Sequence, residues 1–204
     1  MSVSSDNQYA QVLAAVVSKT KKIEMKKLTL IAVICYLSIG QLSAQDLQKI
    51  DSKHFKNLYQ INETMYRSEQ PSKKGFRELE ALGVKSIITF RRLKDDTQKA
   101  KGADLSLVQL PLKAKILTEA DIIEGLKLIH KAEKPVLIHC YAGSDRTGVM
   151  SAASRVVFQG WSKAKAVEEM RIPALGYHEK WYPNLVHLIM DLDVDKVKKE
   201  LGID

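Results

Sequence analysis

One stretch of the chain, VLIHCYAGSDRTGV at residues 136–149, restricts the possible folds more than any other. It starts as a short, almost wholly apolar strand, which is typical of a strand buried on both faces of a parallel sheet. A cysteine and a glycine-containing loop follow, and a helical pattern begins at Thr147. In such sheets, ligands bind at the loop that leaves the carboxyl end of a strand and enters a helix. The stretch therefore predicts an α/β fold with a binding site between Cys140 and Arg146.

The segments before this stretch alternate between helical and extended patterns. HFKNLYQINETMYRSEQPS predicts two short extended pieces around an Asn-Glu turn. SKKGFRELEALGV predicts a helix ending at Gly83, and KSIITF predicts the strand that follows it. DLSLVQLPL predicts a strand stopped by Pro111, and TEADIIEGLKLIHKAE predicts a helix with Thr118 and Asp121 as its capping box.

The segments after the stretch are helical in pattern. One helix is expected from Thr147 to about Gln159, another begins after Ser162 as its cap, and a last one covers YPNLVHLIMDLDVDKVKKEL. We therefore expect a single, mostly parallel central sheet flanked by helices on both faces. A chain of 204 residues of this composition favours one folded domain over two.

The first 44 residues differ in pattern from the rest. From Met25 the chain runs MKKLTLIAVICYLSIGQLSAQ, which is the order of a secretory signal peptide with cleavage after Ala44. We predict a leader and signal peptide over residues 1–44, a folded domain over 45–204, and a secreted or periplasmic protein. The alternative is an uncleaved membrane anchor, although the apolar run is shorter than the ~20 residues that a spanning helix needs.

Charge and cysteine content limit the classes of substrate and the possible roles of the cysteine. The whole chain carries a net charge of +8, and removal of residues 1–44 leaves 27 basic and 22 acidic residues. This balance suits an anionic substrate, but the lysines are too dispersed for a nucleic-acid-binding surface. The same cleavage removes Cys35 and leaves Cys140 without a partner for an internal disulfide.

The predicted loop suits a reactive thiol and an anion. The first turn of a helix has unpaired N–H groups and partial positive charge, so Cys140 is expected to be a thiolate at neutral pH. Gly143 permits a positive φ, which turns successive N–H groups inward. Arg146 can bind two oxygens of a phosphate with its planar guanidinium.

Three neighbours are expected to support this loop. The hydroxyl of Thr147 can donate to the sulfur when a covalent intermediate breaks down. Gly148 is expected to let the start of the helix pack closely against the loop. His139 is expected to hold the loop by hydrogen bonds rather than to exchange protons with a substrate.

The segment HCYAGSDRTG resembles the Cys-x5-Arg signature of the protein tyrosine phosphatase superfamily, and most closely that of small dual-specificity and bacterial tyrosine phosphatases. MYRSEQPSKKGFRELEALGVKSIITFR is similar to the segment that opens many compact members, and the resemblance covers roughly residues 55 to 190. It implies a dual-specificity phosphatase-like fold and no metal or other cofactor. It also implies that Cys140 attacks the phosphorus to form a cysteinyl-phosphate, which water hydrolyses. The phosphate would be bound by the loop residues Tyr141, Ala142, Gly143, Ser144, Asp145 and Arg146.

The general acid is absent from its usual place. The family commonly supplies it from an aspartate about 30 residues before the cysteine, where this chain has QLPLKAKILTEAD. We favour Asp145, because some lipid-directed and bacterial members also carry Asp immediately before the arginine. The alternatives are Glu119, Asp95 and Asp96, and Asp145 could instead stabilise the loop.

Other polar and aromatic residues have less specific interpretations. Arg67 and Ser68 are candidates for a structural ion pair or a substrate contact. Arg91, Arg92, Lys113 and Lys115 are candidates for contact with an anionic substrate or for solvated loops. We expect surface or core positions rather than metal ligation for His130, His178 and His187, and core or helix-packing positions for Trp161 and Trp181.

The sequence favours an enzyme that hydrolyses phosphotyrosine or related phosphomonoesters. A phosphoinositide or inositol phosphate phosphatase is the alternative within the same chemistry. A pseudophosphatase that binds a phosphorylated partner without turnover and a rhodanese-like sulfurtransferase are the alternatives from other classes.

Overall fold

The computed structural model describes residues 47–203. The predicted signal peptide, with its start at Met25 and cleavage after Ala44, and Cys35 lie outside the described residues. Across residues 47–203, no helix is both long enough and apolar enough to cross a membrane.

Six strands form one sheet in the spatial order β1-β2-β3-β6-β4-β5. Strands β3, β6, β4 and β5 are parallel to one another, whereas β1 and β2 are antiparallel to their neighbours. The mostly parallel sheet expected from the sequence is therefore confirmed. The strands are β1 (Gln48–Lys49), β2 (Tyr59–Asn62), β3 (Met65–Ser68), β4 (Ser86–Thr89), β5 (Ser106–Gln109) and β6 (Val136–His139).

Helices cover both faces of this sheet. They are α1 (Lys73–Ala81), α2 (Thr97–Ala100), α3 (Glu119–Lys131), α4 (Asp145–Gln159), α5 (Lys163–Met170), α6 (Asn184–Met190) and α7 (Val194–Leu201), with short 3-10 helices at Ala114–Ile116 and Pro173–Leu175. The capping box of α3 is present, since the Thr118 hydroxyl accepts from the Asp121 N–H and the Asp121 carboxylate accepts from the Thr118 N–H.

The two faces have separate apolar cores because successive strand residues point to opposite sides. On β4, Ile88 packs with α3, α4 and α5, whereas Ile87 packs with α1. On β6, Ile138 belongs to the first core and Leu137 to the second. Both strands are completely buried, as the apolar runs predict.

The structure corrects three details of the expected elements. Helix α4 begins at Asp145, two residues before the predicted start. The last predicted helix is two helices, because the Asp193 side chain accepts from the Lys196 N–H and starts a new helix there. The polar loop after β4 contains the short helix α2, which the sequence analysis did not predict.

Candidate active site

Strand β6 lies between β3 and β4 and is parallel to both, so its carboxyl end lies at the middle of one sheet edge. Its last residue, His139, is level with Ser68 of β3 and Thr89 of β4. Cys140 follows directly, is 2% exposed and is a free thiol. Helix α4 begins five residues later, so the loop between them lies at the helix N-terminus. The structure thus places Cys140 at the sheet edge predicted for ligand binding.

The main-chain carbonyl groups of this loop accept hydrogen bonds from residues outside the loop. The oxygens of Tyr141, Ala142 and Gly143 accept hydrogen bonds that come from the segment before α1. The donors are the Gln70 N–H at 3.0 Å, Asn57 Nδ2 at 3.1 Å and Arg67 Nη2 at 2.7 Å respectively. The Cys140 oxygen accepts from Nδ1 of His139 at 2.9 Å.

Peptide planarity determines where the loop N–H groups point. In a trans peptide, the carbonyl of one residue is opposite to the N–H of the next. Because the carbonyls of residues 140–143 point backwards, the N–H groups of residues 141–144 point into the loop. None of these four N–H groups has an acceptor within the described part of the chain. They form a concave set of donors that suits an anion.

Both the backbone conformation and the close neighbours of residue 143 require a glycine at this position. Its φ is +73°, and a Cβ there would lie 2.5 Å from the main-chain carbon and oxygen of Ser68. The predicted positive φ is confirmed. Gly148 is also closely packed, but a Cβ would meet Met170 of α5 at 3.1 Å. We expected Gly148 to let the start of the helix pack closely against the loop, but the close neighbour of Gly148 is α5.

Arg146 lines a cavity of about 440 Å³ beside the loop. Its Nη1 donates to the Phe90 oxygen at 3.1 Å and lies 3.5 Å from the Leu112 oxygen. These contacts fix one edge of the guanidinium and leave the other donors for an anion. The remaining lining residues are Arg92, Leu112, Lys113, Ala114, Lys115, Ile116, Asp145 and Tyr182.

His139, directly before Cys140, and Thr147, in the first turn of α4, are both completely buried. Thr147 Oγ1 has no hydrogen-bond partner among residues 47–203, so the predicted donation to sulfur stays a prediction. His139 bonds the loop carbonyl with Nδ1 and the carboxylate of Asp96 with Nε2 at 2.7 Å. Because a carbonyl oxygen only accepts, Nδ1 carries a hydrogen. His139 therefore holds the loop by hydrogen bonds, as the sequence analysis expected.

The four candidates for the general acid have different environments. Asp96 is 3% exposed and bonded to His139, and Asp95 accepts from the Thr97 N–H at the start of α2. Glu119 pairs with Lys196 at 2.6 Å, and this hydrogen bond holds the pKa of Glu119 below its usual value. A lowered pKa makes a carboxyl group a poorer proton donor at neutral pH.

Asp145, in contrast, lines the cavity together with Arg146. Its carboxylate contacts His178, a residue that the sequence analysis assigned to the surface or the core. Of the four carboxyl groups, only that of Asp145 lines the cavity of Arg146, and its role as the general acid stays a prediction.

Arg67 is more deeply buried, and more closely connected to the loop, than its sequence context indicated. Its side chain is 1% exposed, and Nε and Nη1 have no hydrogen-bond partner in the described structure. Burial lowers the pKa of Arg67 to about 10, while the charges of Glu169 and Cys140 act in the opposite direction. Arg67 is thus a buried cation that bonds the loop through the Gly143 oxygen, rather than a partner in the structural ion pair or the substrate contact considered from the sequence. The signal in the sequence was an arginine within a strand of otherwise buried residues.

The remaining candidates fall into three groups. Arg92, Lys113 and Lys115 line the cavity, whereas Arg91 lies over the ring of Tyr141 at 5.7 Å. Ser68 is completely buried and donates to the Glu69 oxygen.

The aromatic and imidazole residues differ in burial. Trp161 is 9% exposed, and the guanidinium of Arg155 lies over its ring at 4.1 Å from the centroid. Trp181, which was expected to pack in the core or between helices, is instead 71% exposed and stacks on His178. Among the residues that the structure describes, no group of three or more His, Cys, Asp or Glu side chains could hold a metal ion.

The fold and this cysteine loop define a class of protein. The model of the tyrosine phosphatase family matches residues 50–180, so the chain belongs to that family. Dual specificity protein phosphatase TpbA of Pseudomonas aeruginosa is 38% identical over 123 residues, which are 59% of this chain and 56% of that protein. The chain therefore spans little more than half the length of this curated relative.

Three further comparisons concern structure and substrate. The crystal structure of P. aeruginosa TpbA is 30% identical, has a TM-score of 0.69, and covers 79% of this chain and 99% of the crystallised chain. The structure of a cysteine-to-serine variant of TpbA in complex with phosphotyrosine is also 30% identical with a TM-score of 0.69, and the match covers 79% of this chain and 98% of that one. Inositol diphosphatase DSP5 of Arabidopsis thaliana is 26% identical over 152 residues, which are 70% of this chain and 72% of that protein.

Proposed function

We propose that this chain is a cysteine-dependent phosphatase that hydrolyses phosphotyrosine or related phosphomonoesters through a cysteinyl-phosphate intermediate. One observation carries the proposal. Hydrogen bonds hold the carbonyls of residues 140–143 pointing away from the inside of the loop, so the N–H groups of residues 141–144 surround the space in front of Cys140. Arg146 adds a guanidinium beside them. A dianionic phosphate fits such a set of donors.

The proposed reaction has two steps. The Cys140 thiolate forms a bond to phosphorus while the bond to the leaving oxygen breaks, and Asp145 protonates that oxygen. A water molecule then attacks the phosphorus, Asp145 accepts its proton, and the electron pair of the S–P bond returns to Cys140. The inward N–H groups and Arg146 stabilise the charge on the three equatorial oxygens in both steps.

Phosphotyrosine is the substrate class that the comparisons favour. The TpbA variant was crystallised in complex with phosphotyrosine, and TpbA is described as a dual specificity protein phosphatase. Exposed Tyr141 and Ile116 near the loop are apolar surfaces that suit an aryl group.

An inositol polyphosphate is the second candidate substrate, and a different observation favours it. Arg92, Lys113 and Lys115 all line the cavity of Arg146, and none of them pairs with an acid in residues 47–203. Three cations beside the phosphate loop suit a substrate with several phosphates. The relation to inositol diphosphatase DSP5 is consistent with this candidate.

The test compares wild-type protein with Cys140→Ser, with the exposed His187→Asn as a matched control. We expect hydrolysis of para-nitrophenyl phosphate by the wild type and the control, and none by Cys140→Ser. Phosphate bound to Cys140 should be detectable by mass spectrometry after rapid acid quenching. Binding of phosphate without hydrolysis would instead establish a pseudophosphatase, and thiosulfate turnover above phosphate ester turnover would establish a sulfurtransferase.

The substrate class is tested by kcat/KM ratios across phosphotyrosine peptides, phosphoinositides and inositol polyphosphates. Neutralising Lys113 and Lys115 together should leave kcat/KM for an aryl phosphate, which has one phosphate group, within about twofold of the wild-type value if phosphotyrosine is the substrate. The second candidate is favoured if the wild type has a higher kcat/KM with inositol polyphosphates than with phosphotyrosine peptides. The variant without the charges of Lys113 and Lys115 should then lose kcat/KM with inositol polyphosphates only.

We also propose that the mature protein is secreted or periplasmic. The support is the signal-peptide pattern from Met25 to Ala44. Amino-terminal sequencing of the full chain after expression and cell fractionation should identify Gln45 as the first residue. An intact amino terminus in the membrane fraction would establish the anchor instead.

A further inference from the structure

Asp145 is held by a second residue. Its Oδ1 accepts from the His178 main-chain N–H at 2.9 Å, and Nδ1 of the His178 ring lies 3.1 Å from both carboxylate oxygens. The Asp145 side chain is 16% exposed, whereas that of His178 is 47% exposed. The His178 ring is itself fixed by stacking on Trp181, with ring centroids 5.4 Å apart and planes inclined by 15°.

These contacts place a second group that can hold a proton directly beside the candidate acid. Nδ1 of an imidazole can carry a hydrogen towards a carboxylate or accept one from a carboxyl group, and it lies within hydrogen-bond distance of both oxygens of Asp145. One proton can therefore lie between the two side chains in either arrangement.

We propose that His178 is a positioning residue that shares with Asp145 the proton delivered to the leaving group. This inference rests on the proposed phosphatase function. In the first step the leaving oxygen takes the proton from Asp145, which leaves a neutral His178 beside a carboxylate. In the second step Asp145 takes a proton from the attacking water, and the pair again holds one proton. No proton is gained or lost over the cycle beyond those of the substrate and water.

The test uses substrates that differ in their need for an acid. A para-nitrophenolate leaves easily without a proton, whereas a phenolate or a tyrosine phenolate, with a pKa of about 10, needs one. The parameter is kcat/KM, because it reports the steps up to release of the leaving group. His178→Asn keeps an N–H donor where Nδ1 stands but carries no transferable proton, whereas His178→Ala removes both.

We expect both His178 variants to lose about tenfold to a hundredfold in kcat/KM with phenyl phosphate, and less than about threefold with para-nitrophenyl phosphate. Asp145→Asn should show the same selective loss. The double variant Asp145→Asn with His178→Ala should lose no more than Asp145→Asn alone, because the two residues act as one unit. His187→Asn should match the wild type with both substrates.

Two results would overturn the inference. If His178→Asn equals the wild type with phenyl phosphate, His178 contributes no proton. If both His178 variants lose kcat/KM equally with both substrates, His178 only holds α4 and residues 176–183 together. Either result leaves the phosphatase proposal standing, which fails only if Cys140→Ser retains activity or the wild type has none. Thermal unfolding of each variant separates loss of folding from loss of proton transfer.

Discussion

The Arg67 guanidinium donates from Nη2 to the main-chain oxygen of Gly143 over 2.7 Å, and both residues are buried. One bond thus connects β3 to the loop that carries Cys140. Arg67 is also a buried cation whose Nε and Nη1 have no hydrogen-bond partner among residues 47–203, and it lies close enough to Cys140 for a negative charge there to raise the pKa of Arg67.

Replacement of Arg67 by methionine should reduce the reactivity of Cys140. We expect the rate of alkylation by iodoacetamide at pH 7 to fall about tenfold, because loss of a nearby positive charge disfavours the thiolate. Arg67→Lys should retain part of the rate, and Arg77→Met, on the exposed side of α1, should retain all of it. Equal alkylation of Arg67→Met and wild type would show that Arg67 acts on loop geometry alone.

Replacement of Gly143 by alanine should disrupt the loop. The added Cβ would lie 2.5 Å from the Ser68 main chain, and the φ of +73° is strained for alanine. Displacement of catalytic groups by about 1 Å can cost a hundredfold in rate, so we expect at least that loss in kcat/KM. Gly160→Ala is the control, because Gly160 has a similar φ of +67° but no atom within 4 Å of the added Cβ. It should cost about 1 kcal/mol of stability and little activity. Equal losses in the two variants would contradict the role of the Ser68 contact.

Asp96 and Asp95 are adjacent but should differ greatly in importance. Asp96→Asn removes one partner of the buried pair with His139 and should lower the free energy of unfolding by about 3 kcal/mol. Asp95→Asn affects an exposed turn at the start of α2, where asparagine accepts the same hydrogen bond, and should change it by less than ~0.5 kcal/mol. Urea denaturation of both variants provides the measurement. A similar effect of the two substitutions would argue against a structural role for the His139 pair.

The raised pKa of Tyr177 predicts that the free energy of unfolding depends on pH. Burial, with smaller contributions from Glu179 and Asp145, raises the pKa of Tyr177 to about 12, and its hydroxyl donates to the Tyr182 oxygen. The folded state therefore retains the proton where the unfolded state, with a pKa near 10, has lost it. The resulting stabilisation is fully present below pH 10 and is lost between pH 10 and 12.

The measurement is the difference in unfolding free energy between wild type and Tyr177→Phe at several pH values. This difference should be constant from pH 8 to 9.5 and should decrease towards pH 11, because phenylalanine has no proton to lose. A difference that does not change with pH would show that Tyr177 ionises equally in both states.

The parts of the fold that were predictable are those with strong local signals. The apolar runs of β4 and β6 indicated strands buried on both faces, and both are buried. Thr118 and Asp121 indicated the start of α3. The break between α6 and α7 was missed, since a continuous apolar pattern obscured the capping signal of Asp193.

The order of residues around Cys140 determined the kind of site, because a strand, a loop with Gly143 and a helix N-terminus follow one another within ten residues. Such local geometry depends on backbone conformations that the sequence encodes directly. The partners of that loop are distant in sequence: Arg67 bonds Gly143, Asp96 bonds His139, and His178 bonds Asp145. Only the tertiary structure decided these pairs, because each depends on which strands and loops the sheet brings to one edge, and a side chain's sequence neighbours do not reveal that.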